Sequence, residues 1–541
     1  MQQRVDERAA DLGAEPIVTG PVAPEAISER VGRRPPRMLL LLGLVACAIA
    51  SIPLVYLLVR VGSSGLDDAV TVLGRPRVPL LLLNTVSLAA VVTGTCVLVG
   101  VPTAFLLART RLRLRGMWTV LAALPLAVPS YLAAYGWLAA VPGMQGFWAS
   151  WLVLTLVSTP YVTLPVTAAL RAGTTGLDDV ARTLGRSSWH AFWLGTWPQI
   201  RPATLAGALL VCLYVLSEFG AVALFRFPVL TTAIQQAYGA SFNRNYAAIL
   251  ATVLVLLAMI IVVAEQTARG RARRRFGAVT GVARHRIVNL GRWTAPSIAL
   301  LSVVPALAVG LPVAVLFARL FEAETLRALD PVELGQAIVN TLGLSIGGAA
   351  IAVLLALPIG ALAARYRGRL VRVIESLGYL ALGLPGIVVG LSLVFFSLSV
   401  LPALYQTGFV LAFAYGVLFM PKAIGAIRSA TAQVPTSLED VSRTLGYGQL
   451  QTWWLVTARL ARPGIFAGAL LVAVTAMKEL PATLLLRPTG TDTLAIELWS
   501  RTDVSAYGAA APYAAALILV AAVPAFLLSG AGRGRVDGTA S

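Results

Sequence analysis

Leu177-Asp-Asp-Val-Ala-Arg-Thr-Leu-Gly185 returns later in the chain as Leu438-Glu-Asp-Val-Ser-Arg-Thr-Leu-Gly446. Both copies lie in polar stretches, 172–202 and 433–462, set between long apolar runs. From them the match extends without gaps over Leu177–Arg226 and Leu438–Arg487, with 22 identities in 50 positions at an offset of 261. Upstream the offset is 256: Asn84-Thr85 matches Asn340-Thr341, Pro102 matches Pro358, and Arg109 matches Arg365. The chain is therefore a tandem repeat. A loop exposed to water has little packing reason to stay alike in two copies, so its repetition suggests two similar partner surfaces. Each copy opens with acids after Thr174 or Ser437, candidate N-caps. Each closes on a glycine able to end a helix in the left-handed conformation. A short helix with one exposed face, held between two apolar runs, is suited to transmitting force.

The apolar runs decide the solvent. Of 541 residues, 58% are hydrophobic and 12% charged, with a mean hydropathy of +0.81. A soluble domain carries about 25% charge, so this chain cannot coat a water-facing surface. Collagen-like, disordered and small disulfide-bonded classes are excluded as well. Runs long enough to cross a bilayer fall at roughly 38–60, 79–106, 117–140, 147–170, 203–225 and 246–264. Six more follow at roughly 295–318, 336–364, 373–399, 403–427, 464–486 and 508–530. An even number of spans separates the copies, so both face the same way, as in parallel repeats about an axis along the membrane normal. The expected fold is an all-α polytopic membrane protein of about 12 helices in two parallel six-helix repeats, 38–264 and 295–530. A tail at 1–37, a basic linker at 265–294 and a tail at 531–541 complete the layout.

The net charge of +19 sits in arginine clusters between spans and not along one helix face, which argues against nucleic-acid binding and for membrane lipid. Placing both termini in the cytoplasm puts most Lys and Arg inside, including Arg109/Arg111/Arg113/Arg115 and Arg365/Arg367/Arg369/Arg372, as the positive-inside rule requires. The 37-residue polar leader is too long for the n-region of a signal peptide, so the first span is read as uncleaved. Cys47, Cys96 and Cys212 lie in apolar runs without CxxC spacing and read as small buried hydrophobes. With only His190 and His285, both in polar segments, an intramembrane bis-histidine haem is excluded.

The repeated loops resemble the EAA loops of ABC-importer permeases, the binding-protein-dependent inner-membrane components. That pattern is Glu-Ala-Ala, three residues, Gly, nine residues, then Ile-x-Leu-Pro. The acid falls on Asp179 and Asp440, the alanines on Val180/Ala181 and Val441/Ser442, and the glycine on Gly185 and Gly446. The last element survives in part as Gly195-Thr196-Trp197-Pro198 and loses its proline in the second copy, Val456-Thr457-Ala458-Arg459. Gly-Ala-Leu-Leu follows both loops, at 207–210 and 468–471. The resemblance covers about 80–265 and 336–530 and implies the type I ABC-importer permease fold in a bacterial cytoplasmic (inner) membrane. It further implies an ATPase-coupling set of Asp178, Asp179, Ala181 and Gly185, with Glu439, Asp440, Ser442 and Gly446. A cytoplasmic ABC ATPase dimer and an extracytoplasmic substrate-binding protein would be the partners. ATP and Mg²⁺ would reside on the ATPase, with no cofactor and no permanently bound metal in this chain. Two permease domains in one chain, with Met477-Lys-Glu-Leu-Pro-Ala-Thr-Leu-Leu-Leu-Arg487 and Thr491-Asp-Thr-Leu-Ala495, are most similar to ferric-iron permeases. Thiamine permeases share the fused layout; polyamine, sulfate and phosphonate systems are more distant.

The chain's own lysines agree that energy enters from outside. A P-loop needs Gly-Lys-Ser/Thr, and the two lysines, Lys422 before Ala423 and Lys478 before Glu479, do not supply it. The chain is expected not to be an enzyme.

Glu218 and Glu479 occupy equivalent positions late in the fifth and eleventh runs. Intramembrane carboxylates are costly and commonly line a pathway, where their oxygens would suit a hard cation. Equally, Glu218 could pair with Arg226, and Glu479 with Lys478 or Arg487. Pro125, Pro129, Pro165, Pro358 and Pro385 are expected to make ordinary packing kinks. Tyr131, Tyr135, Trp137, Trp148 and Trp151 are expected to form an interfacial belt. Two rivals remain: a twelve-span secondary transporter of two parallel halves, which has no use for twin acidic-to-Gly loops, and a polytopic membrane enzyme, for which no catalytic cluster is present.

Overall fold

The computed structural model describes residues 35–173, 176–239, 243–275, 288–322, 325 and 329–531. Among these residues the regular structure is helical apart from an isolated parallel bridge, Thr110 with Val288. Thr174 lies outside the described residues, as do the two terminal tails up to residue 34 and from 532, and most of the linker.

Among the described residues ten helices are long and apolar enough to cross a membrane, and an eleventh span results if one sharply bent pair is counted as one. Each of the twelve expected runs has a helical counterpart, but the third and ninth are broken by a sharp turn. The third run forms Arg115–Ala123, a tight turn at Leu124–Ala127, then Ser130–Ala140, with a bend of 91° between the two limbs. The ninth forms Arg369–Gly378, a tight turn at Leu380–Gly383, then Gly386–Val400. The cause is the same in both. Pro129 and Pro385 lack a backbone N–H, and a proline drives the residue before it out of the helical region. Val128 and Leu384 are accordingly extended, and the next helix begins immediately after each proline. Two of the expected packing kinks are thus complete breaks, at positions 256 apart.

The fifth and eleventh runs also differ from a simple span. Helix begins early, at Ser188 and Gln449, passes through one wide turn at Phe192–Thr196 and Trp453–Thr457, and stops at Ser217 and Ala476. Short helices Gly220–Leu224 and Pro481–Leu486 resume beyond the breaks.

The two halves are interlocked. The first helix, Arg37–Ser64, lies on the second half: the Cys47 thiol donates to Ile374 O at 3.3 Å, and Tyr56 meets Phe396 edge-on. In return the seventh span, Gly291–Leu320, lies on the first half. Gly136 there abuts Pro312 too closely for any side chain, and Arg319 Nη2 donates to Ala139 O at 3.4 Å.

Candidate functional site

The two loop helices, Gly176–Thr183 and Thr436–Thr444, are built alike from the residues upward. Each ends in a glycine in the left-handed region, Gly185 at φ +78° and Gly446 at φ +88°. Around that glycine the last carbonyls are satisfied as in a Schellman turn. Gly185 N–H donates to Arg182 O and Arg186 N–H to Ala181 O, while Gly446 N–H donates to Arg443 O and Tyr447 N–H to Ser442 O. The expected N-cap at Ser437 is not made: Thr436 already starts the helix after Pro435, and no side chain caps it.

The helices have an inward and an outward face. Inward, Ala181 and Ser442 are buried, and the Ser442 hydroxyl lies 3.0 Å from that of Thr452. Glu439 also turns inward: its carboxylate pairs with Arg365 at 2.8 Å and accepts the Thr457 hydroxyl at 2.7 Å. Arg365 Nη2 further donates to Val434 O at 2.9 Å, so the end of the eighth span holds both the helix and its lead-in. Asp440 is half-exposed, 3.7 Å from Arg443. The side chains of Asp178 and Asp179 lie outside the described residues.

Outward, the structure shows a feature that the reading of acids and glycines overlooked. Val180 and Leu184 are 55% and 75% exposed, and their counterparts Val441 and Leu445 are 56% and 71% exposed. Beside them stand Trp189, Trp193 and Leu194, matched 261 residues on by Leu450, Trp454 and Leu455, all exposed. Valine and leucine four residues apart share one helix face. An apolar patch of this kind on a polar loop marks an interaction site. The signal was present in the aligned copies, which are identical at Val180/Val441 and Leu184/Leu445.

At the opposite end of the fifth and eleventh spans, Glu218 and Glu479 occupy the breaks. Neither takes the ion pair considered from sequence. Glu218, buried, accepts the Ser130 hydroxyl at 2.7 Å and the Ala221 N–H at 3.0 Å. Glu479 accepts the Ala482 N–H at 2.9 Å, and a Cβ added at Gly386 would come within 2.5 Å of its Oε1. Ser130 and Gly386 are the first residues after the broken prolines, so each carboxylate caps one short helix and sits at the start of another, where helix dipoles favour negative charge. Arg487 pairs instead with Asp492, and the Lys478 ammonium donates to Ala127 O at 3.1 Å.

The halves meet at these turns. Tyr131 Oη donates to Lys478 O at 3.4 Å, Tyr135 Oη donates to Tyr507 O at 3.1 Å, and Gly220 packs between Tyr131 and Leu480. Tyr131 and Tyr135 are buried, so they belong to this seam and not to an interfacial belt; Trp148 remains exposed.

The family described as binding-protein-dependent transport system inner membrane component matches residues 100–271 and again 356–532. The chain is 36% identical over 504 residues to the Fe(3+)-transport system permease protein of Haemophilus influenzae, covering 92% of this chain and 98% of that protein. It is 32% identical over 205 residues to the molybdenum transport system permease protein of Mycobacterium tuberculosis, covering 35% of this chain and 76% of that one. With a sulfate transport system permease protein of Synechocystis it shares 28% over 254 residues, 41% of this chain and 90% of that one.

Proposed function

The chain belongs to the binding-protein-dependent transport system inner membrane components, and on that premise we propose that it forms the whole membrane passage of an ATP-driven importer of ferric iron. The observation that carries the energy-coupling part is the twin apolar face, Val180/Leu184 and Val441/Leu445, repeated at one offset on the two loop helices, the second of which is held against the end of the eighth span. A separate ATPase dimer docks there, one subunit to each loop, with the loops and both termini in the cytoplasm. Asp440, with its side chain about half exposed, offers it a charged contact.

The work is passed on through rigid connections. The second loop helix is tied inward by Glu439 to Arg365 and leads to the long inner helix that stops at Ala476, just before Glu479; the first leads likewise to the helix that stops at Ser217, just before Glu218. Movement of the loop helices toward each other would rock the two inner helices and part the seam at Tyr131 and Lys478. In the geometry described here that seam is joined, which fits a passage closed on the side away from the ATPase. The extracytoplasmic binding protein delivers cargo to that side.

Ferric iron as cargo rests on the 36% identity over nearly the whole chain. An oxyanion is the second reading, favoured by the relatives named for molybdenum and sulfate, which match less of this chain. The test is uptake by the complete complex in liposomes, with radiolabelled ferric iron, molybdate and sulfate offered separately. ATP-dependent entry of iron, abolished by Val441→Asp with Leu445→Asp, is the expected result. Iron uptake that proceeds without the ATPase would refute the reading, and entry of sulfate or molybdate but not iron would replace the cargo.

A further inference from the structure

The chain contains two lysines against 41 arginines, and the fold brings both to Thr475, with Lys478 at the seam between the halves. Lys422 Nζ donates to the Thr475 hydroxyl at 2.9 Å, and the backbone N–H of Lys478 donates to Thr475 O at 3.2 Å. Thr475 thus joins the two residues. The Lys478 ammonium reaches across to the first half, to Ala127 O on the tight turn before the Pro129 break. An ammonium has three donors, and each of these has one described hydrogen-bond acceptor, a neutral oxygen. Among the described ion pairs none includes either lysine.

Neither nearby carboxylate makes a described ion pair with the lysines. Glu218 is committed to Ser130 and the Ala221 N–H, and Glu479, although next to Lys478 in sequence, is committed to the Ala482 N–H. Two ammoniums inside a membrane bundle are costly, and they repel each other. They also repel a bare metal cation. Among the described residues no group of three or more His, Cys, Asp or Glu side chains could hold a metal ion, so a naked ferric ion would find no oxygen cage to replace its ligands. Lysine suits a transient contact, since it is a compact point charge on a flexible stem.

Resting on the importer reading above, we propose that Lys422, Lys478 and Thr475 form an anion-contacting station in the passage, so that ferric iron crosses with an oxygen-bearing anion still bound. The anion meets the free donors of the two ammoniums while the metal stays within its own ligands. Thr475 orients Lys422, and Ala127 holds Lys478 until the halves part.

With only two lysines, amine chemistry reads the station directly. The purified full-length chain with its ATPase is treated with a small amine-acylating reagent in chloride, then in inorganic phosphate or sulfate, and Lys422 and Lys478 are quantified by mass spectrometry. Phosphate or sulfate is expected to slow acylation of Lys478 on the order of tenfold; equal rates in chloride and in both oxyanions would overturn the proposal. In liposomes, Lys478→Gln is expected to lower ATP-driven iron uptake on the order of tenfold, with Lys478→Arg keeping most of it because the charge remains. Unchanged uptake in Lys422→Gln/Lys478→Gln would equally overturn it. Absence of iron uptake by the unaltered complex would count against the cargo reading alone, because protection by oxyanions is measured without iron.

Discussion

Glu439 and Arg365 show how one pair of side chains fixes a lever. Both are nearly inaccessible, at 9% and 11% side-chain exposure, and removing one partner of such a pair leaves a buried charge, at a cost of about 3–5 kcal/mol. Glu439→Ala is therefore expected to loosen the loop helix while leaving the spans folded. Hydrogen exchange should rise across 436–457 and stay level in Gly408–Gln433; uniform protection in the variant would show that the pair does not anchor the helix. Gly446 makes a different demand. At φ +88°, with nothing within 4 Å of an added Cβ, the obstacle to a side chain is the backbone alone. Gly446→Val should destabilise the turn by more than about 1 kcal/mol, whereas Gly446→Asn should be tolerated. Equal thermal shifts for the two would contradict that account.

At the scale of elements, the sequence read well where a local rule acts and poorly where partners decide. The glycine-terminated loop helices, the repeat offset and the equivalence of Glu218 with Glu479 were all legible, since each depends on residue identity at fixed spacing. The breaks at Pro129 and Pro385 were not, because Pro102, Pro165 and Pro358 lie inside unbroken helices, so a proline in an apolar run does not by itself distinguish a kink from a break. Nor were the partners of the two glutamates, which are backbone N–H groups and a serine supplied by the broken helices. Gly386 tests this arrangement. A methyl there would collide with Glu479 Oε1, so Gly386→Ala should cut uptake sharply. Ser130→Ala loses one hydrogen bond to a carboxylate, about 1.5–3 kcal/mol, and should have the smaller effect. The reverse order in transport assays would mean that the carboxylates do not hold the breaks.

For the whole molecule, the exchange of leading helices matters most. Hydropathy reveals that 38–60 and 295–318 are spans but says nothing of what they lie on, and each lies on the other half. A chain cut by an inserted protease site near residue 280 should therefore stay together in detergent, both fragments purifying through a tag on either one. Fragments that separate would show that the interlocking is too weak to hold the halves. Such a frame gives the two loop helices a common body to act upon while their apolar faces stay open to a partner. The claim on which the functional account depends is that those two helices move relative to each other when the partner binds nucleotide. Spin labels at the exposed, equivalent positions Arg186→Cys and Tyr447→Cys, just beyond the docking faces, in a chain with its three cysteines replaced and the complete complex assembled, measure it directly. The account predicts a shorter label separation with ATP bound and hydrolysis blocked, returning after hydrolysis; a separation unchanged between the nucleotide-free and ATP-bound complexes would contradict it.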